Sequence, residues 1–174
     1  QSTNSGKKKL LGQFFYDPMG KFGVRELSRL THLDTKTVMK YLRHFVKMKV
    51  IIKKIEKGKF PYYEANRLSK VYRIVKSNAL VNRIAESGLI DFLEKELKPK
   101  AIVLFGSVQK GTYIKNSDID FFIQGPEKKI NLEKFEHELK HEVQLFFEVD
   151  LNNLSDGLRG NIIDGNTLSG ALEL

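Results

Sequence analysis

Three short apolar runs constrain this chain most: AIVLF (Ala101 to Phe105), SDIDFFI (Ser117 to Ile123) and VQLFFEVDLNNL (Val143 to Leu154). The first is a continuous run of buried-strand length. The second alternates and then becomes apolar, and the third is led by β-branched and aromatic residues. Each reads as a strand, so the region from residue 100 to 174 should fold as a small α/β (α+β) unit with a mixed sheet and flanking helices.

The rest of the chain has a different character. The first 80 residues hold 19 Lys and Arg against 5 Asp and Glu, whereas the remaining 94 hold 11 against 16, an asymmetry hidden inside the overall charge of +9. A basic half suggests a polyanionic partner, since each neutralised phosphate releases a counterion. An acidic half with clustered aspartates suggests a divalent cation. With no cysteine in the sequence, disulfide frameworks, thiolate zinc fingers and cysteine nucleophiles are excluded. No apolar run approaches the roughly 20 residues that cross a bilayer. Residues 1–9 are polar and lysine-rich without a signal-peptide core, so the expectation is a cytoplasmic protein with no membrane partner, beginning in a flexible tail.

In the basic half, LLGQFFYD (Leu10 to Asp17) should form a short helix stopped by Pro18 and Gly20. VRELSRLT (Val24 to Thr31) places Val24, Leu27 and Leu30 at helical spacing, and Asp34 or Thr35 can cap a third helix running to Lys47. In that third helix Val38, Leu42 and Phe45 must face the core. This leaves Lys36, Thr37, Lys40, Arg43, His44 and Lys47 turned outward. Two β-prone runs around Lys57, Gly58 and Lys59 then read as a hairpin with a basic tip.

Helix, turn, helix and basic hairpin, carried by VRELSRLTHLDTKTVMKYLRHFVKMKVI, resemble the winged helix-turn-helix domains of microbial transcription regulators over residues 10–66. The resemblance implies double-stranded DNA as partner: Lys36, Thr37, Lys40, Arg43 and His44 would face the major groove, and Lys57 and Lys59 the backbone. The turn after the third helix reads Met48-Lys49 where such domains often have glycine. Residues 67–99 follow as connecting helices, with the domain boundary expected near Leu80 and Pro99 closing the region.

Side chains at i and i+2 of a strand share a face, so Asp118 and Asp120 project together. Two adjacent carboxylates repel one another unless a cation lies between them, and their hard oxygens suit Mg2+ or Mn2+. Gly106 leaves room for a phosphate to approach the backbone, and Ser107 offers a hydroxyl and an N–H. For a third carboxylate, Glu148 and Asp150 share a face in the later run, and spacing does not choose between them.

Gly106-Ser107, three residues, Gly111, five residues, then Ser117-Asp118-Ile119-Asp120 resembles the signature of the DNA polymerase β-like nucleotidyltransferase superfamily, particularly its minimal members. The resemblance implies transfer of a nucleoside monophosphate from a nucleoside triphosphate, ATP being the expected one, to an acceptor. Gly106, Ser107, Lys110 and Ser117 would bind nucleotide. Asp118, Asp120 and, through "VDL" at Val149 to Leu151, Asp150 would be catalytic metal ligands. Val108 stands where many relatives have arginine, leaving Lys110 the nearest basic residue. A protein acceptor or a toxin-like partner is the implied recipient. The alternative is a non-catalytic transcription regulator whose second domain senses nucleotide or mediates homodimerisation. His137 and His141 stand four apart, but Leu132, Phe135, Leu139 and Val143 should form the buried stripe of their helix and leave both histidines solvated.

Overall fold

The computed structural model describes residues 3–174, and the chain divides into two compact units, Gln1–Lys76 and Ser77–Leu174. The first unit opens with α1 (Thr3–Tyr16), α2 (Val24–Thr31) and α3 (Thr35–Lys47), followed by β1 (Ile51–Lys54) and β2 (Tyr62–Ala65). The expected tail is corrected from Thr3 onward, because α1 begins seven residues before Leu10; Gln1 and Ser2 lie outside the described residues. Leu10 and Phe14 are fully buried and Lys7 lies over the Tyr41 ring, 5.7 Å from its centroid. Once those anchors fix a helical nucleus, adding polar residues to its start costs little.

On α2, Leu27 and Thr31 are buried while Leu30 is exposed, because the Thr31 hydroxyl donates to the Leu27 carbonyl and turns inward. α3 buries Val38, Leu42 and Phe45. Asp34 caps it, accepting from the Thr37 N–H at 2.9 Å and the Thr37 hydroxyl at 2.6 Å. After Met48, Lys49 adopts the left-handed φ of +62° for which glycine is usual. β1 and β2 pair antiparallel from Ile51↔Ala65 to Lys54↔Tyr62, and Phe22 bridges to Tyr63.

The Asp34 cap is pH-sensitive. Both Thr37 bonds hold its carboxyl below the ordinary value of 3.8, so its contribution is present in full above that value and is lost as pH falls below it toward the lower folded-state value. Asp34→Ala should therefore lower the melting temperature at pH 7, and the difference from wild type should vanish in acid. Thermal melts across pH check this; an equal deficit at every pH would show that the carboxylate charge adds nothing to the cap.

A helix, α4 (Lys70–Glu86), carries the division between the units and is followed by α5 (Leu89–Leu97). Then come β3 (Ala101–Phe105), α6 (Gly106–Lys110), β4 (Ile119–Gln124), α7 (Glu133–Leu139), β5 (Val143–Glu148), a 3-10 turn (Leu151–Asn153), α8 (Asp156–Ile163) and β6 (Asn166–Gly170). The strands form one mixed sheet in the order β5-β4-β3-β6. β3 is antiparallel to both β4 and β6, while β4 and β5 run parallel.

Alternation along the strands builds two cores. Ile102, Leu104, Ile119, Phe121 and Ile123 pack with Leu80, Ile84, Leu93 and Phe135, while Ala101, Val103, Phe105 and Phe122 pack with Leu151 and Ile162. α7 is shorter than its apolar spacing suggested. It ends at Leu139, where Lys140 takes a left-handed φ of +59°, so Val143 opens β5 instead of closing the helix and His141 lies outside the helix. No described helix is long and apolar enough to cross a membrane.

Candidate functional site

The register of β3 against β4 brings the glycine and the aspartates to one end of the sheet. Phe105, the last residue of β3, pairs with Asp120, so the chain leaves the sheet at Gly106 directly beside the Asp120 side chain. Gly106 has a φ of +76°, and a Cβ built there would fall on Asp120 Oδ2. Glycine is thus required twice, by backbone conformation and by close approach. Ser107 follows in the first turn of α6 and is half-buried; its carbonyl accepts the Thr112 N–H at 3.0 Å.

Asp118 and Asp120 flank Ile119, which is fully buried. Burial first, and then the charge of Asp118, raise the Asp120 carboxyl above its ordinary value of 3.8. Ionising Asp120 in this setting is therefore costly. This donor set fits one hard divalent cation, whose charge would relieve both the burial cost and the repulsion. Among the described residues no group of three or more His, Cys, Asp or Glu could hold a metal ion.

Asp150 does not reach this site. β5 runs parallel to β4, with Asp120 beside Gln144, Phe122 beside Phe146 and Gln124 beside Glu148. The residue next to Asp120 is therefore Gln144, at the start of β5. Glu148 lies four residues further along, about 13 Å at a strand rise of 3.3 Å per residue, and Asp150 lies beyond the end of the strand. Both carboxylates are committed to the turn there. Asp150 accepts from the backbone and side-chain nitrogens of Asn152, each at 2.9 Å. Glu148 Oε1 accepts from the N–H groups of Asp150 and Val149 and from Asn153 Nδ2; these bonds, the Asp150 N–H first, hold its carboxyl below the ordinary range. The expectation that Asp150 completes the metal site is corrected: i, i+2 spacing gave it the right face but the wrong end of the strand.

Sequence reasoning missed Gln144, and its reading of His141 as solvated is corrected: outside the helix, His141 is half-buried. The alternating Val143-Gln144-Leu145 start of the strand was the available signal for Gln144. His141 Nδ1 lies 2.7 Å from the Ser117 carbonyl, and its ring meets Tyr113 edge-on. It therefore braces the turn that delivers Asp118. Ser117 Oγ closes that turn by accepting the Ile114 N–H at 2.9 Å. An open cavity of about 410 Å³ flanks Asp118, with Ser117, Glu136, Lys140, His141 and Glu142 on its wall. Lys110 is exposed at the end of α6, whereas Val108 is fully buried in the core.

In the first unit, Lys36, Lys40, Arg43, His44 and Lys47 are all exposed on α3. Thr37 is half-buried and its hydroxyl is taken by Asp34. At the hairpin tip Lys57 and Lys59 are exposed, and Lys59 pairs with Glu56.

Residues 86–163 match the family model described as Nucleotidyltransferase domain. This span contains Gly106, Ser107, Asp118, Asp120 and Gln144 and implies a nucleoside triphosphate as substrate. No curated protein and no solved structure matches the chain.

Proposed function

We propose that this chain is a DNA-binding protein whose C-terminal unit holds a divalent metal–nucleoside triphosphate complex, with nucleotide binding rather than rapid transfer as its principal act. The observation that carries the nucleotide reading is the junction of β3 and β4, where Gly106 leaves no room for a side chain against Asp120. Asp118 and Asp120 hold the cation, Mg2+ or Mn2+. Gly106 would let a phosphate approach the backbone and the Ser107 hydroxyl would donate to it, while Ser117 fixes the turn before Asp118. When bound, the cation neutralises phosphate charge and polarises the phosphoryl oxygens.

A second reading, favoured by the family match over residues 86–163, is nucleotidyl transfer from ATP or another nucleoside triphosphate to a protein or other acceptor. Gln144 beside Asp120 favours the first reading, because an amide brings no charge to a second cation. Incubating the protein with labelled nucleoside triphosphate and Mg2+ separates the two. Stoichiometric retention without pyrophosphate supports binding, multiple turnovers with pyrophosphate support transfer, and neither result refutes the site.

The order helix, helix, helix, hairpin in the first unit supports a winged helix reading, with α3 as the element entering the major groove. Lys36, Lys40 and Arg43 contact DNA there and His44 lies beside them. Thr37 serves the cap instead. Log affinity for duplex DNA should fall with log salt by about 0.9 per phosphate neutralised. Lys57→Ala with Lys59→Ala should reduce that slope by up to about 1.8 while leaving sequence preference unchanged. Filter binding at several salt concentrations measures this. A salt-independent affinity, or no duplex binding at low salt, would reassign the unit to protein contacts.

A further inference from the structure

The loop between β1 and β2 carries two large apolar side chains that the fold does not use. Phe60 is 93% exposed and Ile55 is 72% exposed. The loop is nonetheless built. Gly58 turns it with a φ of +77°, and the Lys59 N–H donates to the Glu56 carbonyl at 3.1 Å. The Glu56 carboxylate pairs with Lys59 and accepts the Tyr62 hydroxyl at 2.7 Å. Pro61 follows Phe60 and biases its backbone to the extended region. Phe60 is therefore held outward by its neighbours. Lys53, Lys54, Lys57 and Lys59 are exposed in the same hairpin, Lys59 being paired with Glu56, so the apolar tip stands in a hairpin of net positive charge.

We infer that Phe60 is a wedge that enters the minor groove of duplex DNA and partly unstacks a base step, with Ile55 packing behind it and the lysines on the flanking phosphates. The inference rests on the DNA-binding reading of the first unit and extends it from phosphate contact to deformation of the duplex. An apolar side chain inserted at a base step gains burial that offsets the lost stacking, and the resulting kink brings more phosphate within reach of basic side chains. Charge complementarity selects this occupant: the hairpin carries four exposed lysines within seven residues beside two exposed apolar side chains. The exposed basic face of α3 in the same unit, Lys36, Lys40, Arg43 and Lys47, favours a nucleic-acid polyanion over a lipid surface, into which two apolar side chains would bury little.

The test uses the full chain and a mixed-sequence duplex carrying 2-aminopurine at TA steps, with donor and acceptor dyes at its ends. Wild type should raise 2-aminopurine fluorescence, shorten the end-to-end distance, and prefer a duplex with a single-base bulge by about tenfold, since the bulge is already unstacked. Phe60→Ala should still bind intact duplex, with a shallower salt slope because the kink no longer brings extra phosphates into reach, and lose all three effects, while Phe60→Trp should keep them. Because Phe60 is solvated, its melting temperature should be unchanged. Wild type binding duplex without fluorescence change or bending, or Phe60→Ala retaining both, overturns the wedge and leaves the DNA reading standing. Absence of duplex binding at low salt overturns both. Phe60-dependent binding to phosphatidylserine vesicles with none to DNA would identify a lipid surface and overturn the wedge as well.

Discussion

Asp120→Asn should lose Mg2+-dependent nucleotide binding by at least about a hundredfold, or about 2.7 kcal/mol, and should at the same time melt higher than wild type at pH 7. The two effects share one cause. Burial and the neighbouring Asp118 raise the Asp120 carboxyl above 3.8, so the folded state holds this proton more tightly than the unfolded chain does. A raised carboxylate gives a destabilisation that is absent below the unfolded value, grows as pH rises through it, and is complete above the folded value. Asparagine keeps the volume and removes the charge, so the stability gain should appear above pH 3.8 and vanish in acid. It also removes the charge that attracts the cation, so Mg2+ with ATP should raise the melting temperature of wild type and leave the variant unmoved. Calorimetry for affinity and melts at several pH values for stability measure both. A variant that binds Mg-ATP as wild type does would remove Asp120 from the metal site, and one that melts lower at pH 7 would show that its charge is already compensated in the apo protein.

Much of the fold was written in periodicity. Asp34 as cap, Val38, Leu42 and Phe45 as the inner stripe of α3, and the apolar run Ala101 to Phe105 all follow from local rules, and the structure has each of them. What failed was long-range. α1 begins ahead of Leu10, where Lys7 lies over the ring of Tyr41, more than thirty residues away, a contact that no local composition encodes. The end of α7 depends on Lys140 accepting a left-handed backbone, against its residue type, so a four-residue apolar spacing ran on into what is a strand. The candidate site divides in the same way. Gly106 and the aspartate pair were legible because the glycine-serine turn and the alternating pair are local features. The third position was not, since it depends on the direction in which β5 runs beside β4. In an antiparallel pair the end of β5 would approach Asp120; in the parallel pair its beginning does.

That direction makes Gln144 the position at which a single substitution should change most. Gln144→Glu keeps the shape and places a third carboxylate on the strand beside Asp120. Without metal the added negative charge should lower the melting temperature at pH 7, because it joins Asp120, whose charged form burial and Asp118 already disfavour. With metal the sign reverses. Mg2+ affinity should rise about tenfold, or about 1.4 kcal/mol, and pyrophosphate release from Mg-ATP by about a thousandfold if a third ligand contributes 4 kcal/mol to the barrier. Asp150→Ala is the contrasting variant: its carboxylate accepts from both Asn152 nitrogens in the turn after β5. It should therefore lose some thermal stability and leave Mg-nucleotide affinity unchanged. Calorimetry gives the metal affinities and a coupled assay gives the pyrophosphate. If Asp150→Ala abolishes nucleotide binding while Gln144→Glu changes nothing, the carboxylates at the far end of β5 are the functional ones, and the site at Gly106 and Asp120 is a structural turn.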